Sequence, residues 1–357
     1  MSLVQRHLHA MKLHNRYFTA LAGLFLGFGA IADGLPSATP IRREFIVENF
    51  PTPANHASTI VQTSDGSLLS AWFGGTEEGR LDVVIWSSRL EPTGWTRPVV
   101  VARGEEDGDD PFPCWNPVLF QVKNGPLVLF YKVGPKPSSW WGRYRISRDN
   151  GISWSQSKRI ASSMVGPVRN KPLEMPDGTL LCGSSDESSG WRIHLETIYA
   201  IGTRKMFWTR TPDLNYAIDY GAIQPTLIPW SNKRIQMLCR TRQKVVTESW
   251  SVDGGKSWSG LRKTTLPNPN SAIDAVLLAD GKAVLIHNPN AEERTPLIAS
   301  FSKDGAEWTP AVTLESEPGA ELSYPAVIQT SDGLIHVTYT WKREKIRHAV
   351  LDPAQFQ

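Results

Sequence analysis

Histidine, asparagine and acidic side chains recur where short apolar runs begin or end, and chemistry could start with these residues. His56 opens one such run, and His194 stands two residues before Glu196 in another. Similar positions hold Asn116, Asn270 and Asp274. Gathered at one place, these hydrogen-bonding groups would suit the hydroxyls of a sugar. Each could equally cap its own strand, and only their shared position favours a common pocket.

Metal and phosphate sites are not indicated. His, Cys and acidic residues do not recur at ligand spacing, so we expect no metal and no cofactor. Gly74 and Gly75 form a turn without the Lys and helix that a phosphate loop needs. The three cysteines are far apart and beside apolar runs, which predicts buried free thiols at Cys114, Cys182 and Cys239.

One phrase of the form Ser-x-Asp-x-Gly-x-x-Trp is repeated along the chain. It occurs at residues 147–154 and 251–258, with a shortened copy at 302–308. Asp can cap the backbone of a tight turn, Gly accepts a positive φ, and Trp packs over the turn. The copies are 104 residues (Trp154 to Trp258) and then 50 residues (to Trp308) apart. A unit of about 50 residues is typical of one propeller blade.

Six such units account for most of the chain, in which apolar residues alternate with period two and no long amphipathic helix is evident. They cover residues 56–95, 115–154, 168–210, 222–258, 272–308 and 324–351. The last unit has room for three strands, so we expect Glu44–Asn49 to supply the fourth and close the ring. The prediction is an all-β fold, a six-bladed β-propeller of four-stranded antiparallel blades, with residues 44–357 as a single domain.

The N-terminal segment has the pattern of a secretory signal peptide. Residues 1–32 contain basic residues up to Arg16, an apolar run from Tyr17 to Ile31, and a small-x-small site at residues 30–32. An uncleaved membrane anchor is the alternative. Residues 33–43 are expected to form a loose leader. The mature protein is therefore predicted to be exported, periplasmic or extracellular, without membrane insertion.

Charge excludes two classes of partner. The net charge of +3 equals the basic residues of the signal segment, namely Arg6, Lys12 and Arg16. The remainder is close to neutral, so neither nucleic acid nor an anionic membrane is expected as a partner. We expect a monomer whose partner is a glycan substrate.

The repeated turn is similar to the Asp-box, or BNR, motif of the sialidase superfamily, and this resemblance covers residues 44–351. It implies a site in which three arginines clamp the substrate carboxylate, a Tyr paired with a Glu is the nucleophile, and an Asp is the acid/base. Planar guanidinium groups hold carboxylates bidentately. A Tyr nucleophile avoids repulsion between an anionic group and an anionic substrate.

Several residues match this pattern. Arg294 precedes the third turn as the third clamp arginine does, and Tyr324 follows 30 residues later at the place of the nucleophile. Arg240 resembles the second clamp arginine, with Arg242 as its rival. Arg343, at a strand end in the last blade, is a further predicted substrate-binding residue.

Three positions depart from the pattern. His56 and its neighbours stand where the first clamp arginine should be, and Gln224 replaces the Glu that assists Tyr. A segment containing Glu77 and Glu78 stands where the acid Asp should follow. Either glutamate, or His56, is then a candidate acid/base.

Three functions remain open from the sequence. The first is an exo-acting glycosidase that removes a terminal acidic sugar, sialic acid or a related one. The second is a polysaccharide lyase on uronic acids, in which Arg294 neutralises the carboxylate and His56, His194 and Tyr324 transfer protons. The third is a propeller that binds glycans without catalysis.

Overall fold

The computed structural model describes residues 34–104, 111–215, 220–230 and 233–357. The predicted signal peptide at residues 1–32 lies outside the described residues. Residues 36–357 form one unit of strands joined by turns and loops, with a short 3-10 turn at Pro353–Gln355. No helix in the described part of the chain is long and apolar enough to cross a membrane.

Six antiparallel sheets pack side by side through their innermost strands, which confirms the six-bladed β-propeller. The first strand, β1 (Arg42–Phe45), joins the last blade. Blade 1 contains β2 (Ala54–Gln62), β3 (Leu68–Gly75), β4 (Val84–Glu91), β5 (Gly94–Trp95) and β6 (Val99–Ala102). Blade 2 contains β7 (Cys114–Gln121), β8 (Leu127–Val133), β9 (Trp141–Ser147) and β10 (Lys158–Arg159). Blade 3 contains β11 (Leu173–Glu174), β12 (Leu180–Asp186), β13 (Arg192–Tyr199) and β14 (Phe207–Arg210).

The second half of the ring repeats the same arrangement. Blade 4 contains β15 (Ala222–Pro229), β16 (Ile235–Thr241), β17 (Val245–Ser251) and β18 (Arg262–Pro267). Blade 5 contains β19 (Asp274–Leu277), β20 (Ala283–His287), β21 (Leu297–Ser302) and β22 (Thr309–Glu315). Blade 6 contains β23 (Leu322–Gln329), β24 (Ile335–Trp341), β25 (Lys345–Leu351) and β1. In blade 1 the outer position is shared by β5 and β6, which both pair with β4.

The ring is closed by a strand from the start of the chain, as the sequence predicts. β1 pairs antiparallel with β25, with Glu44 opposite His348. The strand covers Arg42–Phe45, so it begins before the predicted segment and ends within it. The preceding residues are also hydrogen-bonded to the blades: Thr313 donates to the carbonyl of Ala38 at 2.9 Å and Gln355 to that of Thr39 at 2.9 Å.

The repeated phrases form closely similar turns. In the first, Ser147 donates to Asp149 at 2.7 Å and accepts from the Gly151 amide at 2.8 Å. Gly151 has φ +87°, a conformation that glycine adopts without steric cost. In the second, Ser251 donates to Asp253 and accepts from Gly255, each at 2.8 Å. The turn tryptophans pack, partly buried, against the cores between blades.

The hydrophobic core lies between neighbouring blades. One apolar cluster joins blades 2 and 3, another blades 3 and 4, and others continue around the ring. Burying one large apolar side chain contributes about 1.5–3 kcal/mol, so repeated contacts between sheets can stabilise the ring. Because apolar packing is satisfied between the blades, the axis is left to polar groups.

Candidate functional site

A local distortion marks the innermost strands of four blades. The register of each strand shifts near its start, and within each shift a non-glycine residue has positive φ. These residues are Ala57 (φ 56), Asn116 (φ 36), Gln224 (φ 56) and Tyr324 (φ 53). Such strain is costly and clusters at functional sites. A bulge also changes the direction in which a side chain points. With the bulges in β15 and β23, Gln224 and Tyr324 both contact Arg240.

The phenol of Tyr324 lies among guanidinium groups from different blades. Arg240 Nη1 donates to its hydroxyl oxygen at 3.0 Å. The guanidinium carbons of Arg169, Arg240 and Arg294 are 5.4, 5.6 and 5.9 Å from the ring centroid. Burial raises the pKa of Tyr324, but Arg240 and Arg294 outweigh burial and hold the pKa below its ordinary value. Tyr324 therefore ionises to the phenolate more readily than an ordinary tyrosine does.

Arg240 and Arg294 are held by a shared neighbour. Arg240 Nε donates to Asn270 Oδ1 at 3.1 Å, and Arg294 Nη2 donates to the carbonyl oxygen of the same residue at 3.1 Å. Arg240 Nη1 also donates to Gln224 Oε1 at 3.2 Å. One predicted sugar ligand, Asn270, therefore uses two oxygens to position two guanidinium groups.

Glu321 joins Arg294 to a third arginine. Arg294 Nη1 lies 2.7 Å from Glu321 Oε1, and Arg343 Nε lies 2.8 Å from Oε2. Burial raises the pKa of Glu321, but the hydrogen bond and charge of Arg343 and the charge of Arg294 have a larger effect in the opposite direction. The pKa of Glu321 therefore lies below its ordinary value. The carboxylate therefore stays charged between two cations and fixes their separation.

Arg169 is hydrogen-bonded to the backbone at Tyr324. It is 1% exposed and donates to the carbonyl oxygens of Tyr324 and Pro325 at 2.6 and 2.8 Å. Burial lowers the pKa of Arg169 to about 10, and Asp274 partly offsets that effect. These hydrogen bonds hold the strained left-handed conformation of Tyr324 in place.

His56 packs directly on Tyr324. The two ring centroids are 4.1 Å apart, with an interplanar angle of 49°. Burial lowers the pKa of His56 well below its ordinary value, and Arg343 and Arg294 lower it further. Both ring nitrogens are buried without a hydrogen-bond partner. His56 is thus a neutral imidazole beside the phenol.

The two candidate glutamates differ in direction. Glu78 hydrogen-bonds to Arg343, and its charge opposes the lowering of the Tyr324 pKa. Glu77 is directed at Arg80, and both of these side chains are about two-thirds exposed. Both glutamates line a cavity of about 480 Å³ with His56 and Arg343. Of the two glutamates, Glu78 is therefore the one that contacts the arginines around Tyr324.

Three predicted residues lie away from Tyr324 or face other groups. Asp274 accepts from Lys171 Nζ at 3.1 Å, from Thr226 Oγ1 at 3.0 Å and from the Val327 amide at 2.9 Å. The carbonyl of Asn116, in the bulge of blade 2, accepts from Lys132 at 3.4 Å. His194 lines a different cavity, between blades 2 and 3.

Some site residues were not predicted as such. Glu321 stands three residues before Tyr324, at the strand start that also places the tyrosine. Glu187 follows β12, beside Arg240, Arg242 and Trp191. Burial raises the pKa of Glu187, and the two arginines only partly offset that effect. Both are acidic residues beside a strand end, a pattern that could have identified them.

The site therefore favours an anion and offers groups for proton transfer. Guanidinium groups around Tyr324 outnumber the carboxylates that contact them. Among the described residues, no group of three or more His, Cys, Asp and Glu could hold a metal ion. Arginines can bind a carboxylate bidentately. His56 packs on the Tyr324 ring, and the charge of Glu78 acts on the pKa of Tyr324.

The sequence and the fold both have matches among known proteins. A family model described as a BNR repeat-like domain matches residues 66–337. None of the curated proteins matches the sequence. A protein of unknown function from Dyadobacter fermentans has a similar structure, with a TM-score of 0.73 and 16% identity, over 88% of this chain and 98% of that chain.

Two enzymes of known activity also have similar structures. The intramolecular trans-sialidase from Ruminococcus gnavus has a TM-score of 0.69 and 10% identity, over 92% of this chain and 99% of its own. The α-L-arabinanase of Penicillium chrysogenum has a TM-score of 0.67 and 15% identity, over 89% of this chain and 99% of its own. At these identities the similarity shows the fold, and both enzymes act on glycans.

Proposed function

Because the chain belongs to the BNR repeat-like domain family, we propose that it is an exported glycoside hydrolase that removes a terminal acidic sugar from a glycan. Sialic acid or a related acid is the proposed sugar. One observation carries the proposal: the Tyr324 hydroxyl accepts from Arg240 at 3.0 Å, within a group of guanidiniums. The trans-sialidase and the arabinanase among the similar structures support a glycan as substrate.

The arginines would bind the carboxylate of the sugar. Arg240, Arg294 and Arg343 are linked through Asn270 and Glu321. In the family pattern, the segment that contains His56 here would provide the third arginine. Arg343, from the last blade, would supply that cation instead. Linked guanidiniums are pre-organised, so less entropy is lost when they bind an anion.

Tyr324 would first lose its proton to solvent, and the phenolate would then attack the anomeric carbon while the bond to the leaving oxygen breaks. Glu78 would donate a proton to that oxygen, and water would then release the sugar from Tyr324 with Glu78 as base. Gln224 cannot accept the phenolic proton. The lowered pKa of Tyr324, which burial opposes and Arg240 and Arg294 produce, would compensate for this loss.

Release of 4-methylumbelliferone from its α-sialoside and from its β-glucuronide tests the proposal. We expect turnover of one of them, and Tyr324→Phe should reduce kcat at least about 100-fold because the nucleophile is removed. Tyr144→Phe, a half-buried tyrosine in blade 2, is the matched control. Turnover that survives Tyr324→Phe would contradict the assigned nucleophile, and ligand binding without turnover would indicate a binding protein.

A lyase acting on uronic acid glycans is the second candidate, and His56 is the observation that favours it. A neutral imidazole packed on Tyr324 could remove the C5 proton while the phenol protonates the leaving oxygen. The product would be an unsaturated uronate, and its ultraviolet absorbance separates this reaction from hydrolysis. His56→Gln should abolish a lyase activity and should leave the nucleophilic step of a hydrolase in place.

A further inference from the structure

An ion pair joins two blades at the mouth of the central cavity. Glu78, in the turn after β3 of blade 1, hydrogen-bonds to Nη1 of Arg343, in the turn between β24 and β25 of blade 6. Both residues line the cavity of about 480 Å³, together with His56. The side chains of Arg343 and Glu78 are 38% and 35% exposed, whereas His56 is buried. The ion pair therefore lies at the open end of the cavity.

The backbones that carry the two charges are held in place. The carbonyl oxygen of Arg343 accepts from the amide of Asn55 in blade 1 at 2.7 Å. In the turn that contains Glu78, Asp82 accepts from the amide of Thr76 at 2.8 Å and from its hydroxyl at 2.5 Å. The ion pair can therefore open through rotation of the side chains alone.

The partner of Arg343 at this position can be exchanged. Ion pairs that are exposed to water stabilise a protein only weakly, because solvent screens them. Nε of Arg343 lies 2.8 Å from Glu321, so a second contact keeps the guanidinium in place when Glu78 leaves. The carboxylate of a ligand can thus replace Glu78 at Nη1, and the exchange substitutes one anion for another.

The paired state of Glu78 does not suit the role of an acid. A carboxylate that binds a guanidinium only accepts hydrogen bonds, whereas a general acid must carry a proton. A neighbouring cation favours the charged form, so the contact with Arg343 has to open before the proton binds. Arg343 is also a cation that the proposed function assigns to the sugar carboxylate. The substrate therefore binds the same guanidinium that holds the acid.

Other titratable groups surround the carboxyl group of Glu78. Across the cavity are Tyr324, on which the charge of Glu78 acts, and His56, which is neutral because burial lowers its pKa well below the ordinary value. In the same turn, Glu77 and Arg80 pair with each other at 3.1 Å and are about two-thirds exposed. These groups are neutral or already paired, so exchange at the ion pair decides the charge of the carboxyl group.

We infer that the carboxylate of the substrate displaces Glu78 from Arg343 and thereby converts Glu78 from a paired anion into the protonated acid. The inference rests on the proposed function. The displaced carboxyl group loses a cation and gains a bound anion as its neighbour, and both changes favour protonation. One proton is taken up from solvent in this step. A neutral sugar lacks the displacing group, so the ion pair restricts catalysis to acidic sugars.

The proton is accounted for over one turnover. Glu78 gives it to the leaving oxygen while the phenolate of Tyr324 forms a bond to the anomeric carbon. Water then attacks that carbon, the oxygen of Tyr324 leaves as phenolate, and Glu78 takes a proton from the water. This proton returns to solvent when the sugar leaves and Arg343 pairs with Glu78 again.

Proton uptake on binding tests the inference without any turnover. Glucuronic acid and N-acetylneuraminic acid are titrated against the whole protein by calorimetry at pH 6, in buffers of different ionisation enthalpy. At least one acid should bind with an uptake of about 0.5–1 proton, and its affinity should rise about three- to tenfold when the pH falls by one unit. Glucose, the neutral counterpart of glucuronic acid, should cause no uptake.

Two glutamine variants assign the proton. Glu78→Gln cannot be protonated, so the acid should bind to it without uptake. Glu77→Gln is the matched control, because the neighbouring side chain is 67% exposed and pairs with Arg80, and it should take up as much as the wild type. Melting temperatures check that each variant is folded.

The possible results separate this inference from the proposed function. Binding of an acid to the wild type without uptake, or with the same uptake in Glu78→Gln, overturns the inference and leaves the proposed function standing. If neither acid binds, the proposed function fails and the inference fails with it.

Crystals soaked with the acid that binds give an independent result. The sugar carboxylate should lie within about 3.2 Å of a nitrogen of Arg343, and the carboxylate of Glu78 should lie more than about 4 Å from that guanidinium. A sugar carboxylate bound to Arg240 and Arg294 while Glu78 still contacts Arg343 would overturn the displacement.

Discussion

Replacing Arg240 by methionine should weaken binding of an acidic sugar far more than replacing Arg242. Both guanidiniums stack on Trp191, at 5.2 and 4.6 Å. Only Arg240 is buried, at 6% exposure, and donates to Tyr324 at 3.0 Å. Arg242 is exposed at the rim. Comparing the two variants therefore distinguishes binding by a buried, hydrogen-bonded arginine from the effect of a nearby exposed positive charge.

The expected magnitudes follow from burial. A hydrogen bond to a charged, buried group contributes about 1.5–3 kcal/mol, so Arg240→Met should weaken binding about 10- to 150-fold. An exposed charge contributes less than about 1 kcal/mol, so Arg242→Met should weaken binding less than about fivefold. The pKa of Tyr324 should also rise in Arg240→Met, because burial then acts with less opposition.

Calorimetric titration with N-acetylneuraminic acid and with glucuronic acid measures the two affinities. Spectrophotometric titration of tyrosine absorbance follows the phenol, and melting temperatures confirm that each variant is folded. Equal losses of affinity in Arg240→Met and Arg242→Met would refute the assignment of Arg240 as a clamp. An unchanged Tyr324 titration would refute the electrostatic argument.

Two further predictions concern proton transfer and acid stability. Glu78→Gln should lower kcat about 100- to 10,000-fold in the 4-methylumbelliferyl assay, whereas Glu77→Gln, whose side chain is 67% exposed, should have little effect; equal effects would contradict the choice of acid. The melting temperature should fall as the pH drops from 6.5 through 4, because burial lowers the pKa of His336 to about 4 and protonation then favours the unfolded chain. The fall should continue below pH 4, because the hydrogen bond from His348 lowers the pKa of Glu44 to about 2 and the stability of that contact is lost only as the carboxylate is protonated. A melting temperature independent of pH across this window would show that the closing strand is not held in this way.

The architecture could be predicted because its signals are local and repeated. The turn at Ser147 to Trp154 recurs with a fixed spacing, and the spacing sets the size and number of blades. The shortage of a strand in the last blade predicted closure by the segment around Glu44, which pairs with β25. The same register placed Arg240, Arg294 and Tyr324 near one another.

The directions of individual side chains could not be predicted in the same way. Glu77 and Glu78 are neighbours, and only the geometry of the turn after β3 decides which of them faces Arg343. His56 and His194 both lie on strands. His56 is next to a bulge in β2, whereas His194 lies in a regularly paired part of β13, so the two side chains have different surroundings. The contacts that the two oxygens of Asn270 make with Arg240 and Arg294 depend on blades 4 and 5 and on the link between them.

A crystal structure with a bound acidic monosaccharide would show whether the arginines around Tyr324 hold the sugar carboxylate. Crystals of the wild-type protein would be soaked with N-acetylneuraminic acid and, separately, with glucuronic acid. We predict that the carboxylate of at least one lies about 2.7–3.2 Å from nitrogens of Arg240 and Arg294, with the anomeric carbon facing the Tyr324 hydroxyl. A sugar bound with its carboxylate away from these arginines, or absent from this site in both soaks, would contradict the account.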